Sequence, residues 1–182
     1  EFSTLVRTSG QSGRYGWEAE IFDARGHSVA RHSGEPVAAT PKGDSLAGRL
    51  KVRKPSLWSP EHPVLYTLRL RLLSSGGKVV AEERHRIGFR DFCWETDRGF
   101  FLNGKSYKLR GMSEHLEGGP VGACYTPQLL RWKLGLLKEM GCNAVRTAHN
   151  PQLPVFYDLC DEMGLLVMDE AFDGWSRKAE HD

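Results

Sequence analysis

A helix, a glycine and a buried strand follow one another twice in the second half of the sequence. The triplet Glu-Met-Gly at residues 139–141 recurs at residues 162–164, and each copy ends a segment with the apolar spacing of an amphipathic helix. Apolar or β-branched runs follow the two glycines, at residues 143–148 and 165–168. An uninterrupted apolar run suits a parallel strand that is covered on both faces. The repeat therefore predicts a β-α-β-α-β order from about residue 100 onward.

The start of this arrangement has signals of its own. Asn103-Gly104 is typical of a tight hairpin turn, and we predict a strand at residues 108–112 after it. Thr126 followed by Pro127 predicts the N-cap and the first turn of a helix. That helix connects the first predicted strand to the second, as a parallel pair requires.

Up to about residue 95, the sequence instead has the two-residue period of half-buried strands. Residues 17–22 alternate and lead through Asp-Ala-Arg-Gly at 23–26 into residues 27–31, which predicts a hairpin. A second predicted hairpin joins residues 64–73 to residues 78–84 through Ser-Ser-Gly-Gly. Several short strands within about 90 residues indicate an antiparallel sandwich of immunoglobulin size.

The two periods predict two domains. An Ig-like β-sandwich is expected over residues 1–95, and an α/β domain over residues 96–182. The four cysteines include no close CxxC pair, so we predict neither a zinc knuckle nor a disulfide framework.

Composition narrows the class of protein. Hydrophobic residues at 40% and charged residues at 26% are typical of a folded globular chain. Basic and acidic residues are mixed and nearly balanced, 25 against 23, so neither a nucleic acid nor an anionic membrane is an expected partner. No apolar run approaches the roughly 18 residues of a membrane span. The sequence contains no targeting signal, and the compartment, cytoplasmic or secreted, is left open.

Polar residues follow each of the three predicted parallel strands. In a parallel sheet or barrel, the loops after the carboxyl ends of the strands converge on one rigid edge. We therefore predict the rim of an active site from Ser113, Glu114 and His115, from Arg146, His149 and Asn150, and from Asp169, Glu170 and Asp173.

A purely structural interpretation of these residues also stays open. Asn150 is placed to cap the following helix, and the acidic pair Asp169-Glu170 would complement a helix dipole. His115 lies before a glycine-rich stretch, where a histidine is ordinarily solvated. Arg146 is harder to explain in this way, because a guanidinium inside a strand needs an acceptor network. No HxH or HExxH spacing is present, so we predict no metal site.

The run of residues 143–151 resembles the signature of glycoside hydrolase family 2, the β-galactosidase and β-glucuronidase group. Further segments resemble the family in the family's own order, at residues 57–60, 65–66, 88–90, 101–104, 156–157, 161 and 164–171. The resemblance implies an Ig-like sandwich followed by the first β-α-β-α-β part of a (β/α)8 barrel. It also implies retaining hydrolysis of β-linked sugars, with a carbohydrate as the substrate.

The resemblance also implies residue roles. Arg146 matches an arginine that supports the catalytic nucleophile. His115 and His149 match histidines that contact the sugar and its transition state, and Asp169 and Glu170 match the acidic pair that ends barrel strand three.

Two departures from the family pattern affect what is expected. Relatives commonly have Asn-Arg-His-Glu at residues 113–116 and an aromatic residue in place of Asn150, so different sugar hydroxyls are expected to be recognised. No acidic-x-His motif follows Glu170, which leaves the magnesium site of some relatives unmatched. No cofactor is therefore predicted.

Retaining hydrolysis needs two carboxyl groups about 5–5.5 Å apart, one an acid/base and the other a nucleophile. The resemblance places both on later barrel strands. A full barrel takes about 250 residues, whereas less than half of the 182 residues follow residue 95. We therefore expect a fragment of a retaining β-glycosidase that is inactive alone and that associates with the rest of a barrel or with itself.

Two alternatives stay open. The first is a non-catalytic carbohydrate-binding or structural Ig-like module. The second is a short hydrolase that uses His115 or His149 with a metal or a water molecule.

Overall fold

The computed structural model of the chain describes residues 2–7 and 12–174. Contacts divide these residues into two compact units. The first unit contains the described residues up to Ser56 together with Leu65–Gly88. The second contains Leu57–Val64 and the described residues from Phe89 onward.

The first unit is an antiparallel β-sandwich. Its strands are β1 Phe2–Val6, β2 Gly13–Phe22, β3 Ser28–Ala39, β4 Asp44–Gly48, β5 Tyr66–Leu73 and β6 Val79–Ile87. One sheet has the order β3-β2-β5-β6, and β1 pairs with β4. Both predicted hairpins, β2 with β3 and β5 with β6, are confirmed. The Ig-like sandwich expected from the sequence is therefore present.

Both faces of strand β2 are buried, for different reasons. Trp17, Ala19 and Ile21 alternate along the strand as part of the apolar core. Glu18 and Glu20, on the opposite face, are also buried, at 9% and 8% exposure. Carboxylates tolerate such burial only when they are paired and hydrogen-bonded.

Arginine side chains from neighbouring strands supply that pairing. Glu18 bonds Arg31 of β3, and its second oxygen lies 3.3 Å from Arg71 Nη1 of β5. Arg71 Nε donates to Glu82 of β6 at 2.5 Å, and Glu82 also accepts from Arg84 at 2.8 Å. The result, which we call the sandwich charge ladder (Arg31, Glu18, Arg71, Glu82 and Arg84), crosses all four strands of the sheet.

The second unit contains the predicted β-α-β-α-β order. A small antiparallel sheet of β7 Phe92–Glu95, β8 Gly99–Leu102 and β9 Lys105–Ser106 comes first. The elements that follow are β10 Gly111–His115, a short 3-10 helix Gly119–Val121, α1 Pro127–Glu139, β11 Ala144–Ala148, α2 Pro154–Met163 and β12 Leu166–Met168. Strands β10, β11 and β12 form a parallel sheet in that order. This is the start of a barrel, as expected.

The first parallel strand lies three residues later than predicted. It begins at Gly111 instead of residue 108. The reason is that Asn143 forms hydrogen bonds with both the backbone N–H and the backbone carbonyl of Arg110. Asn143 Oδ1 accepts from Arg110 N at 2.8 Å, and Arg110 O accepts from Asn143 N at 2.8 Å. The parallel ladder then starts where Gly111 meets Ala144. Residues 113–115 consequently belong to the strand and not to the loop after it.

The two helices cover one face of the parallel sheet. Their apolar residues and those of the sheet form one buried cluster of Leu130, Leu134, Val145, Phe156, Leu159, Cys160 and Leu165. The predicted helix start is confirmed, since Thr126 Oγ1 accepts from Leu129 N at 3.2 Å. Among the described residues, no helix is long and apolar enough to cross a membrane.

Gly164 shows why the repeated triplet ends in glycine. It ends α2 with φ +76°, a left-handed conformation that suits glycine. A Cβ atom there would lie 2.4 Å from the carbonyl oxygen of Pro60. The residue therefore meets both a conformational and a steric requirement.

The segment Leu57–Val64 packs with the second unit, although the strands on either side of it belong to the first. Trp58 is 2% exposed, and its indole Nε1 donates to the carbonyl of Asp161 in α2 at 2.9 Å. The contacts also place residues 89–95 in the second unit. The domain boundary predicted between residues 95 and 96 stays a prediction.

Candidate active site

The register of the parallel sheet decides which side chains share a face. Ser113 pairs with Arg146, and Arg146 pairs with Met168. Paired residues on neighbouring strands point to the same side of a sheet. Val145 lies on the other side, in the cluster formed with the helices. Ser113, Arg146 and Met168 therefore lie on the face that α1 and α2 leave uncovered.

Arg146 joins all three strand ends on this face. Its Nε donates to Oε1 of Glu170, which follows β12, and its Nη1 lies 3.3 Å from Ser113 Oγ on β10. The other oxygen of Glu170 lies 2.9 Å from His149 Nδ1 in the loop after β11. The fold thus brings together four of the predicted rim residues, Ser113, Arg146, His149 and Glu170, in one hydrogen-bonded group.

His115 completes the group from the end of β10. Its ring meets the ring of His149 edge to face, with 5.5 Å between centroids and an interplanar angle of 89°. His115 is exposed, and the His149 side chain retains 32% of its exposure. Two imidazoles, a guanidinium and a carboxylate therefore line one accessible edge, which we call the rim (His115, Arg146, His149 and Glu170).

The charge state of the rim follows from its hydrogen bonds. Burial acts to raise the pKa of Glu170, but the hydrogen bonds from His149 and Arg146 outweigh it and lower that pKa. Glu170 is therefore ionised at neutral pH and can only accept hydrogen bonds. The 2.9 Å contact between His149 Nδ1 and Glu170 is a hydrogen bond in the tautomer that carries its proton on Nδ1. Glu170 thus favours that tautomer and orients the imidazole, while Arg146 Nη2 lies 3.4 Å from the same nitrogen.

Asp169 does not join the rim, although it neighbours Glu170 in sequence. Its Oδ1 accepts from Thr147 Oγ1 and from the hydroxyl of Tyr157, each at 2.8 Å. Thr147 is fully buried. Its hydroxyl also accepts from the backbone N–H of Glu170 at 2.8 Å. Asp169 thus holds the backbone after β12 in place from the side of the sheet opposite the rim.

Thr147 and Tyr157 are the residues of this arrangement that sequence reasoning missed. Tyr157 also accepts from the backbone N–H of Gln152 at 2.8 Å, which ties the loop after β11 to α2. A signal was available for Thr147, since a hydroxyl residue beside Arg146 in an otherwise apolar strand needs a buried partner. Neither residue belongs to the rim. Both act on it by bonding backbone N–H groups next to the rim or within it, those of Gln152 and Glu170.

Three other predicted residues lie apart from the rim. Glu114 pairs with Thr147 in register, on the side of the helices, and forms an ion pair with Lys133 of α1. Asn150 and Asp173 are exposed, and neither takes part in the hydrogen bonds given above for Arg146, His149 and Glu170.

A cavity of about 430 Å³ lies against the same uncovered face. Its lining is mostly apolar and includes Phe92, Trp94, Phe100, Met112 and Met168, with Arg146 and Ser113 at one side. Among residues 2–7 and 12–174, no three His, Cys, Asp or Glu side chains are grouped to hold a metal ion. The rim offers hydrogen-bonding groups and charge next to the apolar lining of this cavity.

The described residues thus form a sandwich followed by the opening strands of a parallel barrel, with polar groups at the carboxyl ends of those strands. The chain belongs to glycosyl hydrolase family 2. The family model described as "Glycosyl hydrolases family 2" matches residues 1–90, and the model described as "Glycosyl hydrolases family 2, TIM barrel domain" matches residues 95–176. The resemblance found in the sequence is confirmed.

Similar proteins carry glycosidase names. A putative β-glucuronidase of Formosa agariphila is 49% identical over 166 residues, which is 91% of this chain and 16% of the relative. A β-galactosidase of Bacteroides ovatus is 38% identical over 99% of this chain and 21% of its own length. The chain therefore spans about a fifth of these relatives.

Solved structures agree with the family. A family 2 member from Bacteroides cellulosilyticus has a TM-score of 0.87 and 37% identity over 95% of this chain and 22% of its own. A Bacteroides uniformis β-glucuronidase has a TM-score of 0.83 and 30% identity, covering 93% of this chain and 20% of its own.

Proposed function

We propose that this chain supplies part of the sugar-binding rim of a retaining β-glycosidase, in which His115 and His149 contact the sugar and Arg146 supports the nucleophile. The observation that carries this proposal is the rim itself, where the ends of three parallel strands bring together two imidazoles, a guanidinium and a carboxylate. Chemistry on barrel scaffolds occurs at this end of the strands.

Arg146 suits a supporting role because its guanidinium is anchored along one edge. Glu170 accepts from Nε and Ser113 lies beside Nη1, which fixes the plane of the group. A guanidinium has five donors in a rigid fork, so an anchored one can still present N–H groups to a second carboxylate. An arginine held in this way would keep a nucleophilic carboxylate ionised.

We further propose that the catalytic acid/base and the nucleophile lie outside these 182 residues. The acidic residues near the rim each have a structural partner, Glu114 with Lys133, Asp169 with Thr147 and Tyr157, and Glu170 with Arg146 and His149. A catalytic acid instead needs a raised pKa in an apolar setting. The pKa of Glu170 is shifted the other way.

The names of the relatives, β-glucuronidase and β-galactosidase, support β-linked hexopyranosides as the substrate class. The expected partner of the uncovered sheet face is the remainder of a barrel or, when the chain is alone, a second copy of it. Exposed apolar side chains that line the cavity at that face, such as Phe92, Trp94 and Met168, support this expectation.

Hydrolysis of 4-nitrophenyl β-D-galactopyranoside and β-D-glucuronide tests the proposal. The protein that carries this chain should release nitrophenol and form the β-anomer first, as seen by proton NMR. His149→Ala should lower kcat/KM by about 100-fold or more. His85→Ala is the matched control, because His85 lies on β6 of the sandwich, where its Nε2 is 3.3 Å from Glu83 Oε2.

The 182-residue chain alone should show no turnover above buffer. Turnover that disappears on Glu170→Gln or Asp169→Asn would contradict the assignment of both catalytic carboxylates to other segments. Sugar binding that His149→Ala leaves unchanged would instead support the non-catalytic module.

A further inference from the structure

Lys133 is a partly buried lysine in the middle of α1 whose ammonium group bonds the end of β10 and the loop after it. Its side chain is 23% exposed. The ammonium group pairs with the carboxylate of Glu114 and donates to the carbonyl of Glu117 at 2.7 Å and to the hydroxyl of Tyr125 at 3.1 Å. One cation thus connects three points of a single segment.

Tyr125 extends this connection to His115. Its hydroxyl donates to the backbone carbonyl of His115 at 3.0 Å, while its ring lies 5.0 Å from the ammonium group of Lys133. Glu114, the residue before His115, points toward the helices and reaches the same ammonium group. The backbone at His115 is therefore held through Glu114 on one side and through its own carbonyl on the other.

The imidazole of His115 depends on this support. His115 is exposed at the very end of β10, and its ring contact on this edge is with His149. The loop that follows contains Gly118, Gly119 and Gly122, which add little stiffness. The position of the ring consequently depends on the backbone of β10 together with its contact with His149.

We propose that Lys133 is a positioning residue for His115, which acts through Glu114 and Tyr125 to fix the distance between the two rim imidazoles. This inference rests on the proposed function, in which both imidazoles contact the sugar. Lys133 itself lies on the helix side of the sheet and has no contact with the rim.

The ion pair is suited to this purpose because it stays charged. Burial acts to lower the pKa of Lys133, but the hydrogen bonds to Glu114 and Tyr125 outweigh it and raise that pKa. Glu114 has a side chain only 13% exposed, so loss of the cation would leave a largely buried carboxylate unpaired. The end of β10 would have to move to hydrate that group.

Lys133→Met in the protein that carries this chain tests the proposal. Crystal structures should show the two imidazole centroids, 5.5 Å apart here, separated by at least about 1 Å more in the variant. A displacement of that size should lower kcat/KM for 4-nitrophenyl β-D-galactopyranoside by about 10- to 100-fold, chiefly through kcat. Lys133→Arg, which keeps the cation, should recover most of the loss.

Arg131→Met is the matched control. Arg131 lies on the same helix and forms an ion pair with Glu162 of α2, away from β10. The Arg131→Met variant should keep kcat/KM within about twofold of the wild type. Tyr125→Phe removes the hydroxyl that bonds the His115 carbonyl and Lys133 Nζ, but it keeps the ion pair of Lys133 with Glu114. It should therefore displace His115 even where Lys133→Met fails to fold.

Unchanged imidazole separation and unchanged kcat in both Lys133→Met and Tyr125→Phe would overturn the proposal, whatever the loss of stability. The structural readout also separates this inference from the proposed function. A protein without glycosidase activity whose His115 still moves would contradict the function and keep the positioning role.

Discussion

The two units of this chain each contain an arginine–carboxylate network, and only one of them has the geometry of a site. The sandwich charge ladder runs across the middle of a sheet, where Glu18 and Glu82 each accept from two arginines. In the second unit, Arg146 and Glu170 lie at the carboxyl ends of parallel strands and include an imidazole, His149, in their hydrogen bonds.

Charge state does not distinguish the two networks. The hydrogen bond from Arg31 lowers the pKa of Glu18 in spite of burial, and hydrogen bonds from His149 and Arg146 do the same for Glu170. Both carboxylates are ionised at neutral pH. Position at the strand ends and the company of two imidazoles are therefore the features that indicate function, and an ion pair alone indicates only stability.

The largest expected effect is on the arginine of the rim. Arg146→Met in the protein that carries this chain should lower kcat/KM by about 1000-fold, which corresponds to about 4 kcal/mol of transition-state stabilisation. The midpoint of thermal unfolding should change little, because the Arg146 side chain is 42% exposed. Steady-state kinetics and thermal melts check the two parts. A variant that loses stability and keeps its activity would place Arg146 with the sandwich arginines.

A smaller effect is expected beneath the rim. Thr147→Val should lower the free energy of unfolding by about 1–3 kcal/mol, because the N–H of Glu170 loses its partner and Asp169 loses one of its two, both at the buried Thr147 hydroxyl. The activity should fall by about 10-fold as Glu170 shifts. Urea unfolding and kinetics measure both. Thr147→Ser keeps the hydroxyl and is the control, and an equal loss in that variant would mean that the methyl group matters instead.

The matched change in the sandwich should affect stability alone. Arg71→Met removes one partner each from Glu18 and Glu82 and should cost about 1–2 kcal/mol of unfolding free energy, with kcat/KM within about twofold. Arg84→Met, at a 61% exposed side chain, should cost less than about 1 kcal/mol. A drop in kcat/KM with Arg71→Met would remove the distinction between the two networks.

The smallest effect is a dependence on pH. The hydrogen bond from Arg71 is the main cause that lowers the pKa of Glu82 below its usual 4.5. A carboxyl group with a lowered folded-state pKa stabilises the fold above its unfolded value, and this contribution is lost as the pH falls through the folded value. The stability difference between wild type and Glu82→Gln should therefore shrink from pH 7 to pH 3 in urea unfolding. A constant difference would mean that Glu82 acts through its shape and not its charge.

Local signals in the sequence were sufficient for the order of elements. The repeated triplet and the turn residues predicted both hairpins, both helices and the parallel strands, because each signal lies within the element that it defines. The features that were predicted less well depend on contacts between residues far apart in the sequence. The start of β10 depends on Asn143, more than thirty residues away, and the packing of residues 57–64 depends on Trp58 reaching α2.

The candidate site was predictable in its membership more than in its orientation. The positions of His115, Arg146, His149 and Glu170 after successive strands were enough to expect them at one edge. Asp169 was expected beside Glu170, but successive residues of an extended chain point to opposite sides. Asp169 accordingly bonds Thr147 under the sheet. Glu114 is turned to α1 for the same reason.

A crystal structure of the protein that carries this chain, soaked with D-galactono-1,5-lactone, tests the central claim most directly. The lactone mimics the flattened sugar ring expected at the transition state of a retaining glycosidase. We expect its hydroxyls within hydrogen-bonding distance of His115 and His149, above Arg146. A lactone bound elsewhere, with the three strand ends unoccupied, would contradict the account.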